Sequence, residues 1–208
     1  MDQTASYNTG GRYGGVLRAP MKYVGTKTFD INGTDNTPAG GNPAAEWNAT
    51  TGVFAANPDS DTSQTPAISG VINYLNKFGR TGPVPGRYKR YDPVGELHYE
   101  AVRYLQGLQP SDAAISSITS EMQDGYPVYT NWTDPYGGGR TNTSDYACVK
   151  SNIVVVGDIN THDGGRLPTA DAANNIPDIS YWRGIANKFE SDAGGTYIDG
   201  QGATQTID

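Results

Sequence analysis

One apolar run constrains the fold of this chain more than any other feature. Residues 153–156 read Ile-Val-Val-Val, four β-branched side chains without a polar break. Such a run is typical of a strand buried on both faces, as in a parallel sheet covered by helices. Gly157 and Asp158 follow it, and a polar loop comes next. The sequence therefore predicts a central strand of an α/β sheet over residues 153–156, which we call the apolar run.

Asp158 is the candidate functional carboxylate, because ligands of open α/β sheets lie beyond the carboxyl ends of the strands. The alternative is a structural aspartate that caps the loop or the next helix. His162 and Asp163 could form a hydrolase-like group with Asp158, although no nucleophile lies on a suitable turn. Asp158, Asn160 and Asp163 also resemble half of a calcium loop, but the glycine and distal glutamate of an EF-hand are not in place.

The clearest helix follows Asp92, which can cap its N-terminus, and Pro93 suits the first helical position. Gly107 or Pro110 ends it. Six apolar side chains of this helix form one stripe, which we expect to face the core. The stripe consists of Val94, Leu97, Ala101, Val102, Leu105 and Leu108.

Three further helices are predicted. Residues 68–78 carry apolar side chains at helical spacing, and Gly79 follows as a C-cap residue. The apolar positions of this helix are Ile68, Val71, Ile72, Leu75 and Phe78. Shorter helices are predicted at 111–123 and 178–189.

Most of the remaining chain is predicted to be loop, which fits its 27 glycines and 13 prolines. Residues 14–25 suggest edge strands or a hairpin around a proline. Long loops follow at 26–67 and 124–147, rich in turn residues and aromatic side chains. Trp47 and Phe54 are expected to pin the first loop by packing.

Composition excludes some classes of function. The net charge of −7 argues against nucleic-acid binding, which needs clustered Lys and Arg. No apolar stretch is long enough for a membrane span. The 14 tyrosines against 4 phenylalanines favour an extracellular recognition surface. Residues 1–6 do not resemble a signal peptide, so the chain is either cytosolic or lacks the first part of a secreted protein. Cys148, the sole cysteine, is either a small buried residue or pairs outside this chain.

Four segments together resemble the N-terminal region of PilC/PilY-type proteins, which are type IV pilus biogenesis factors and tip adhesins. The two longest are residues 84–105 (VPGRYKRYDPVGELHYEAVRYL) and 152–162 (NIVVVGDINTH). Residues 131–135 (NWTDP) and 176–182 (IPDISYW) fit as well. The resemblance extends over about residues 15–189.

The resemblance implies an incomplete α/β domain of the von Willebrand factor A-like (Rossmann-like) type, a sheet flanked by helices. It would occupy residues 1–190, with loop insertions at 26–67 and 124–147 and a polar tail at 191–208. It also implies a site for a divalent cation, Mg²⁺ or Ca²⁺, to which Asp158 and Asp92 would contribute. This site would be incomplete, because the Asp-x-Ser-x-Ser segment of such domains is absent from the chain.

The function implied is that of a non-enzymatic cell-surface fragment involved in type IV pilus assembly and adhesion, at the pilus tip or outer membrane. Its partners would be minor pilins or the assembly machinery, and a host or abiotic surface. Trp132, Tyr136 and Trp47 are the candidate contact residues, since aromatic side chains give large rigid contact area. The alternatives are a secreted glycan-binding or hydrolytic domain that uses Asp158, His162 and Asp163, and a truncated reading frame without independent function.

Overall fold

The computed structural model describes residues 13–30, 32–77, 93–116, 118–142, 145–156, 167, 184, 188, 196–198 and 203–206. Within these residues lie four helices and one antiparallel pair of strands. The helices are α1 (Val71–Lys77), α2 (Val94–Leu105), α3 (Asp112–Ile115) and α4 (Ser120–Gln123). The strands are β1 (Thr196–Ile198) and β2 (Thr204–Thr206), paired with Tyr197 opposite Gln205. None of the described helices has the length and apolar character that a bilayer span requires.

Helix α2 confirms the clearest helix prediction, including its end. The amide of Gly107 donates to the carbonyl of Tyr104, and the amide of Leu108 donates to that of Arg103, each at 3.0 Å. This is the Schellman pattern, and it needs the left-handed φ of +72° that Gly107 adopts. Pro93 takes the N-cap position instead of the first helical position. Asp92 lies outside the described residues.

The predicted buried face of α2 is wrong. None of the six stripe residues is buried, and Leu97 is 42% exposed. The opposite face of α2 is the one that packs inward. Its buried residues are Glu96, Tyr99, Glu100, Arg103 and Tyr104.

Hydrogen bonds explain why charged residues of α2 point inward. A carboxylate oxygen of Glu96 accepts from the amide of Gly14 at 2.6 Å. Glu100 accepts from the hydroxyls of Tyr13, at 2.6 Å, and Ser111. The segment that contains Gly15 passes close to the backbone of α2. A β-carbon on Gly15 would lie 2.6 Å from the backbone oxygen of Glu96. Buried carboxylates are tolerated because their oxygens are hydrogen-bonded.

Helix α1 lies within the predicted 68–78, but its packing also differs from the prediction. Leu75 is exposed, and Asn73 is the buried residue of the helix. The amide nitrogen of the Asn73 side chain donates to the carbonyls of Ala55 at 2.7 Å and Ser69 at 2.8 Å. Asn73 thus satisfies loop carbonyls that an apolar side chain would leave without a partner.

The helix predicted at 111–123 is two short helices, α3 and α4. Ser116 and Thr119, which flank the break, both have extended backbone. Only Ala114 of α3 is buried. The helix predicted at 178–189 lies outside the described residues, except for two single positions.

The loop predicted at 26–67 is confirmed for the described residues, which contain no helix or strand there. Two isolated bridges cross it, Phe29 with Asp35 and Trp47 with Phe54. Of the edge strands predicted at 14–25, the described residues show a single bridge, from Leu17 to Tyr129.

The buried central strand predicted over residues 153–156 is wrong in this structure. These residues adopt no strand, and their side chains are 39% to 93% exposed. Ile153 lines a groove of about 320 Å³ together with the apolar face of α2, Leu17 and Trp132. We call it the apolar groove. Among the described residues, no strand pairs with the apolar run as a sheet neighbour would.

The polar tail predicted at 191–208 contains the β1–β2 hairpin. Its strands have 3 residues each, and every described side chain of β2 is exposed. Strands this short carry little sequence signal, because three residues are too few to show a clear alternation of apolar and polar side chains.

Candidate functional site

The two long loops meet at a cleft of about 690 Å³. Its first wall comes from residues 21–36, which include the start of loop 26–67. Its second wall comes from residues 135–137 of loop 124–147, with one residue from just beyond that loop. We call it the aromatic cleft. Its lining residues are Met21, Lys22, Tyr23, Phe29, Asp30, Asn36, Pro135, Tyr136, Gly137 and Val149.

The first wall presents apolar side chains to solvent. The rings of Tyr23 and Phe29 meet edge to face, with centroids 5.6 Å apart and planes at 64°. Met21, Tyr23 and Phe29 are 37% to 48% exposed. Edge-to-face packing favours one orientation of the two rings relative to each other.

A buried ion cluster holds the first wall in place. The ammonium group of Lys22 pairs with Asp59 and, at 3.0 Å, with Glu46. The Glu46 carboxylate also accepts from the amides of Val71, at 2.8 Å, and Ile72, at 2.7 Å, at the start of α1. Glu46 therefore caps α1 and anchors Lys22 at once, which ties the cleft wall to a helix.

The turn at the tip of the first wall is stabilised by Asp30. One carboxylate oxygen of Asp30 accepts from the amides of Asn32 and Thr34, both at 2.9 Å. Beside it, the ammonium group of Lys27 donates to Asp35 at 2.8 Å. That hydrogen bond is the main reason why the pKa of Asp35 lies well below its usual range.

Arg140 holds the second wall. Its guanidinium group donates to both carboxylate oxygens of Asp134, at 2.8 and 3.1 Å. It also donates to the carbonyl of Leu105 at the end of α2, at 3.1 Å. The guanidinium carbon lies 5.6 Å from the ring centre of Tyr136 and 5.3 Å from that of Tyr146. The hydrogen bonds from Arg140 lower the pKa of Asp134.

The three aromatic residues predicted to make contacts lie in different places. Tyr136 lines the aromatic cleft. Trp132 is buried, packs edge to face on Tyr104 and lines the apolar groove. Trp47 is half-buried and forms a bridge with Phe54. Tyr136 shares the aromatic cleft with residues of the other loop, and the binding roles of Trp132 and Trp47 stay predictions.

Sequence analysis did not single out Met21, Tyr23, Phe29 or Asp30 as contact residues. They lie near turn signals and a proline, which indicate a loop but not what the loop faces. The available signal was the number of large apolar side chains around the start of the predicted loop at 26–67. Such residues are unusual in a solvated segment unless they pack or bind.

The predicted metal ligands Asp158 and Asp92, and the alternative catalytic residues His162 and Asp163, lie outside the described residues. Within the described residues no group of three or more His, Cys, Asp or Glu side chains is placed to hold a metal ion. Cys148 is exposed and has a free thiol, so the interpretation of Cys148 as a small buried residue is wrong.

Comparison with known proteins identifies the family. The family described as "PilY1 homolog, second domain" matches residues 4–205. The chain belongs to this family. It is also 37% identical over 170 residues to the type IV pilus biogenesis factor PilY1 homolog of Xylella fastidiosa (strain Temecula1 / ATCC 700964). That alignment covers 74% of this chain but only 13% of the relative, so the chain spans a small part of the relative's length. No solved structure matches the chain. The PilC/PilY-type resemblance is thereby confirmed.

Proposed function

We propose that this chain is a contact module of a type IV pilus biogenesis factor. Its membership of the PilY1 homolog second-domain family and the name of the Xylella relative support this role. The module would act outside the cell, at the pilus tip or outer membrane. Its work would be non-enzymatic binding, to minor pilins or the assembly machinery and to a host or abiotic surface.

The aromatic cleft is the observation that carries this proposal. Its walls come from two loops without helix or strand in their described residues, yet each wall is anchored to a helix. Lys22 and Glu46 tie the first wall to α1, and Arg140 ties the second to the end of α2. Loops held by a rigid scaffold are the usual carriers of binding function. Exposed aromatic side chains supply contact area at low entropic cost, and an exposed Met adapts its shape to a partner.

The cation site is a separate part of the proposal. We propose that Asp158 and Asp92 bind Mg²⁺ or Ca²⁺ in a von Willebrand factor A-like fold, on the strength of the resemblance alone. A cation that binds the native state would raise the melting temperature. Thermal unfolding in millimolar Mg²⁺ or Ca²⁺ tests this directly. An increase that Asp158→Ala abolishes supports the site, and an unchanged melting temperature in both cations rejects it.

Cells that carry cleft variants in the parent protein test the contact role. Tyr23→Ala combined with Phe29→Ala removes the ring pair of the first wall. Phe54→Ala is the matched control, because Phe54 is as exposed as these residues but does not line the cleft. We expect the double variant to reduce surface pili, counted by electron microscopy, or attachment to glass. The control should change neither.

An immunoblot must show equal amounts of parent protein in the two strains. Normal piliation and attachment of the double variant would contradict a contact role for the cleft.

A further inference from the structure

We infer that the aromatic cleft binds an extended peptide segment that places a bulky apolar side chain beside a lysine or arginine. This inference rests on the proposed function, since it names the kind of partner that the contact surface takes. Three properties of the cleft support it: the surface left for a ligand, one uncompensated carboxylate, and the size of the cavity.

The surface left for a ligand is mainly apolar. Single exposed hydrophobic residues are ordinary, but Met21, Tyr23 and Phe29 line one cavity opposite Pro135 and Tyr136. A methionine thioether beside aromatic rings adapts its shape to another apolar or aromatic group. An aromatic or large aliphatic side chain would therefore find contacts on both walls.

Most polar groups of the cleft already have partners inside the protein. The ammonium group of Lys22 is held in the buried ion cluster. The hydroxyl of Tyr136 shares a hydrogen bond with Ser151, and the side-chain oxygen of Asn36 accepts from Thr28 at 2.8 Å. A sugar needs several free donors and acceptors to replace its hydration. A peptide side chain with an apolar body suits this cleft better than a glycan.

Asp30 supplies the charge preference. It is the one acidic residue that lines the cleft, and no cation forms an ion pair with it among the described residues. The neighbouring Asp35 pairs with Lys27, so within the described part of the chain Lys27 does not compensate the charge of Asp30. A carboxylate at the rim of an apolar cavity favours a ligand with a cation next to its apolar group. The net charge of −7 on the whole chain acts in the same direction.

The size of the cleft suits an extended peptide segment better than the surface of a folded protein. Its volume of about 690 Å³ lies within the usual range of ligand sites, roughly 300–1,000 Å³. Such a cavity accommodates one bulky side chain and its neighbours in the chain. An extended peptide can insert a side chain there and still reach Asp30 at the rim.

Peptide titrations of the full 208-residue chain test the inference. The probes are three capped octapeptides of glycine and serine that carry a central Trp-Lys, Trp-Glu or Ala-Lys pair. Binding is followed by NMR of the ¹⁵N-labelled chain. We expect the Trp-Lys peptide to shift cleft resonances with a millimolar Kd. The Trp-Glu peptide should bind about fivefold more weakly, and the Ala-Lys peptide about tenfold more weakly.

Two variants assign the effect to the cleft. Phe29→Ala should weaken binding of the Trp-Lys peptide by about tenfold. Asp30→Asn keeps the oxygen that accepts from the turn amides but loses the charge, so it should abolish the preference of Lys over Glu. Phe54→Ala and Asp112→Asn, at exposed positions outside the cleft, are the matched controls and should leave all three affinities unchanged.

Equal affinity for the three peptides would overturn the inference, as would no binding of the Trp-Lys peptide by a folded chain. Saturable binding of cellotetraose at the cleft, with none of the peptides bound, would show a glycan site instead. If the cell assay shows loss of pili or attachment while no peptide binds, the contact role stands and the peptide inference fails. If the Trp-Lys peptide binds and the cell assay shows no change, the contact role in cells fails.

Discussion

The aromatic cleft and the apolar groove differ in how their walls are held. The cleft is built from loops, but charged groups fix both walls: buried Glu46 with half-buried Lys22 on one side, and half-buried Arg140 on the other. The groove has a helix on one side and β-branched residues on the other, yet the apolar run leaves most of its surface in water. Ordered loops and an uncovered apolar run thus occur in one chain.

The comparison shows that hydrogen-bond satisfaction, more than hydrophobicity, decides what this chain buries. Glu46, Glu96 and Glu100 are buried because backbone amides and hydroxyls reach their oxygens. Val154 and Val156 are exposed because no described element covers them. Substitutions that remove the hydrogen bonds and ion pairs of the cleft walls should lower the stability of the chain. Substitutions in the apolar run should not.

The largest effect is expected at Glu46. Glu46→Ala removes the cap of α1 and leaves Lys22 with Asp59 alone. We expect a loss of about 3 kcal/mol in the free energy of unfolding, measured in urea, because one partner of a buried ion pair is removed. Glu46→Gln is the matched control, since it keeps an acceptor oxygen, and it should lose less. Equal stability of wild type and Glu46→Ala would show that the first wall is not held in this way.

Arg140→Met should have the second largest effect. The change keeps most of the side-chain length but removes the hydrogen bonds to Asp134 and to the carbonyl of Leu105. We expect a loss of about 2 kcal/mol near neutral pH, as for other hydrogen bonds to charged groups.

The pH dependence of the Arg140 effect has a definite sign. Arg140 lowers the pKa of Asp134, so this carboxylate contributes stability above its ordinary pKa of about 4. That contribution is lost as the pH falls through the lowered value. The difference in unfolding free energy between wild type and Arg140→Met should therefore become smaller below about pH 4, down to the part that the hydrogen bond to Leu105 contributes. A difference that grows in acid would contradict the assignment.

A smaller effect is expected at Tyr104, whose hydroxyl accepts from the amide of Met21 at 2.9 Å. Tyr104→Phe keeps the packing on Trp132 but leaves that amide without its partner. A loss of about 1 kcal/mol is expected. The amide hydrogen of Met21, followed by NMR, should also exchange with solvent faster than in the wild type. No change in either quantity would rule out this link between the cleft and α2.

The smallest effect should come from the apolar run. Val154→Thr combined with Val156→Thr keeps the β-branched shape and adds polar atoms. Because both side chains are exposed, the free energy of unfolding should change by less than about 0.5 kcal/mol. A large loss would mean that the run is buried in solution, as the sequence predicts.

Local sequence signals were sufficient for helix α2 and the loops. Pro93 and Gly107 bracket the helix with turn chemistry that works over a few residues. The density of turn residues likewise predicts the loop at 26–67. The aromatic side chains of loop 124–147, among them Tyr136, indicate a contact surface.

Burial and the cleft depend on contacts between distant residues, which local patterns do not contain. Glu96 points inward because Gly14 passes over α2, and Glu46 is buried because the start of α1 needs acceptors. Met21 and Tyr23 become cleft residues only when Lys22 reaches Glu46 and Asp59. The buried strand predicted for the apolar run is wrong for a related reason. A strand is stable only beside neighbouring strands, and the sequence of the run does not show whether such neighbours exist.

Native-state hydrogen exchange, resolved by NMR, tests whether hydrogen-bond satisfaction decides what this chain buries. We expect slow exchange for loop and cap amides that donate inside the protein, such as those of Glu46, Val71 and Ile72. We expect rapid exchange throughout residues 153–156. Protected amides in the apolar run, together with unprotected amides around Glu46, would contradict this expectation. They would support the buried strand that the sequence predicts.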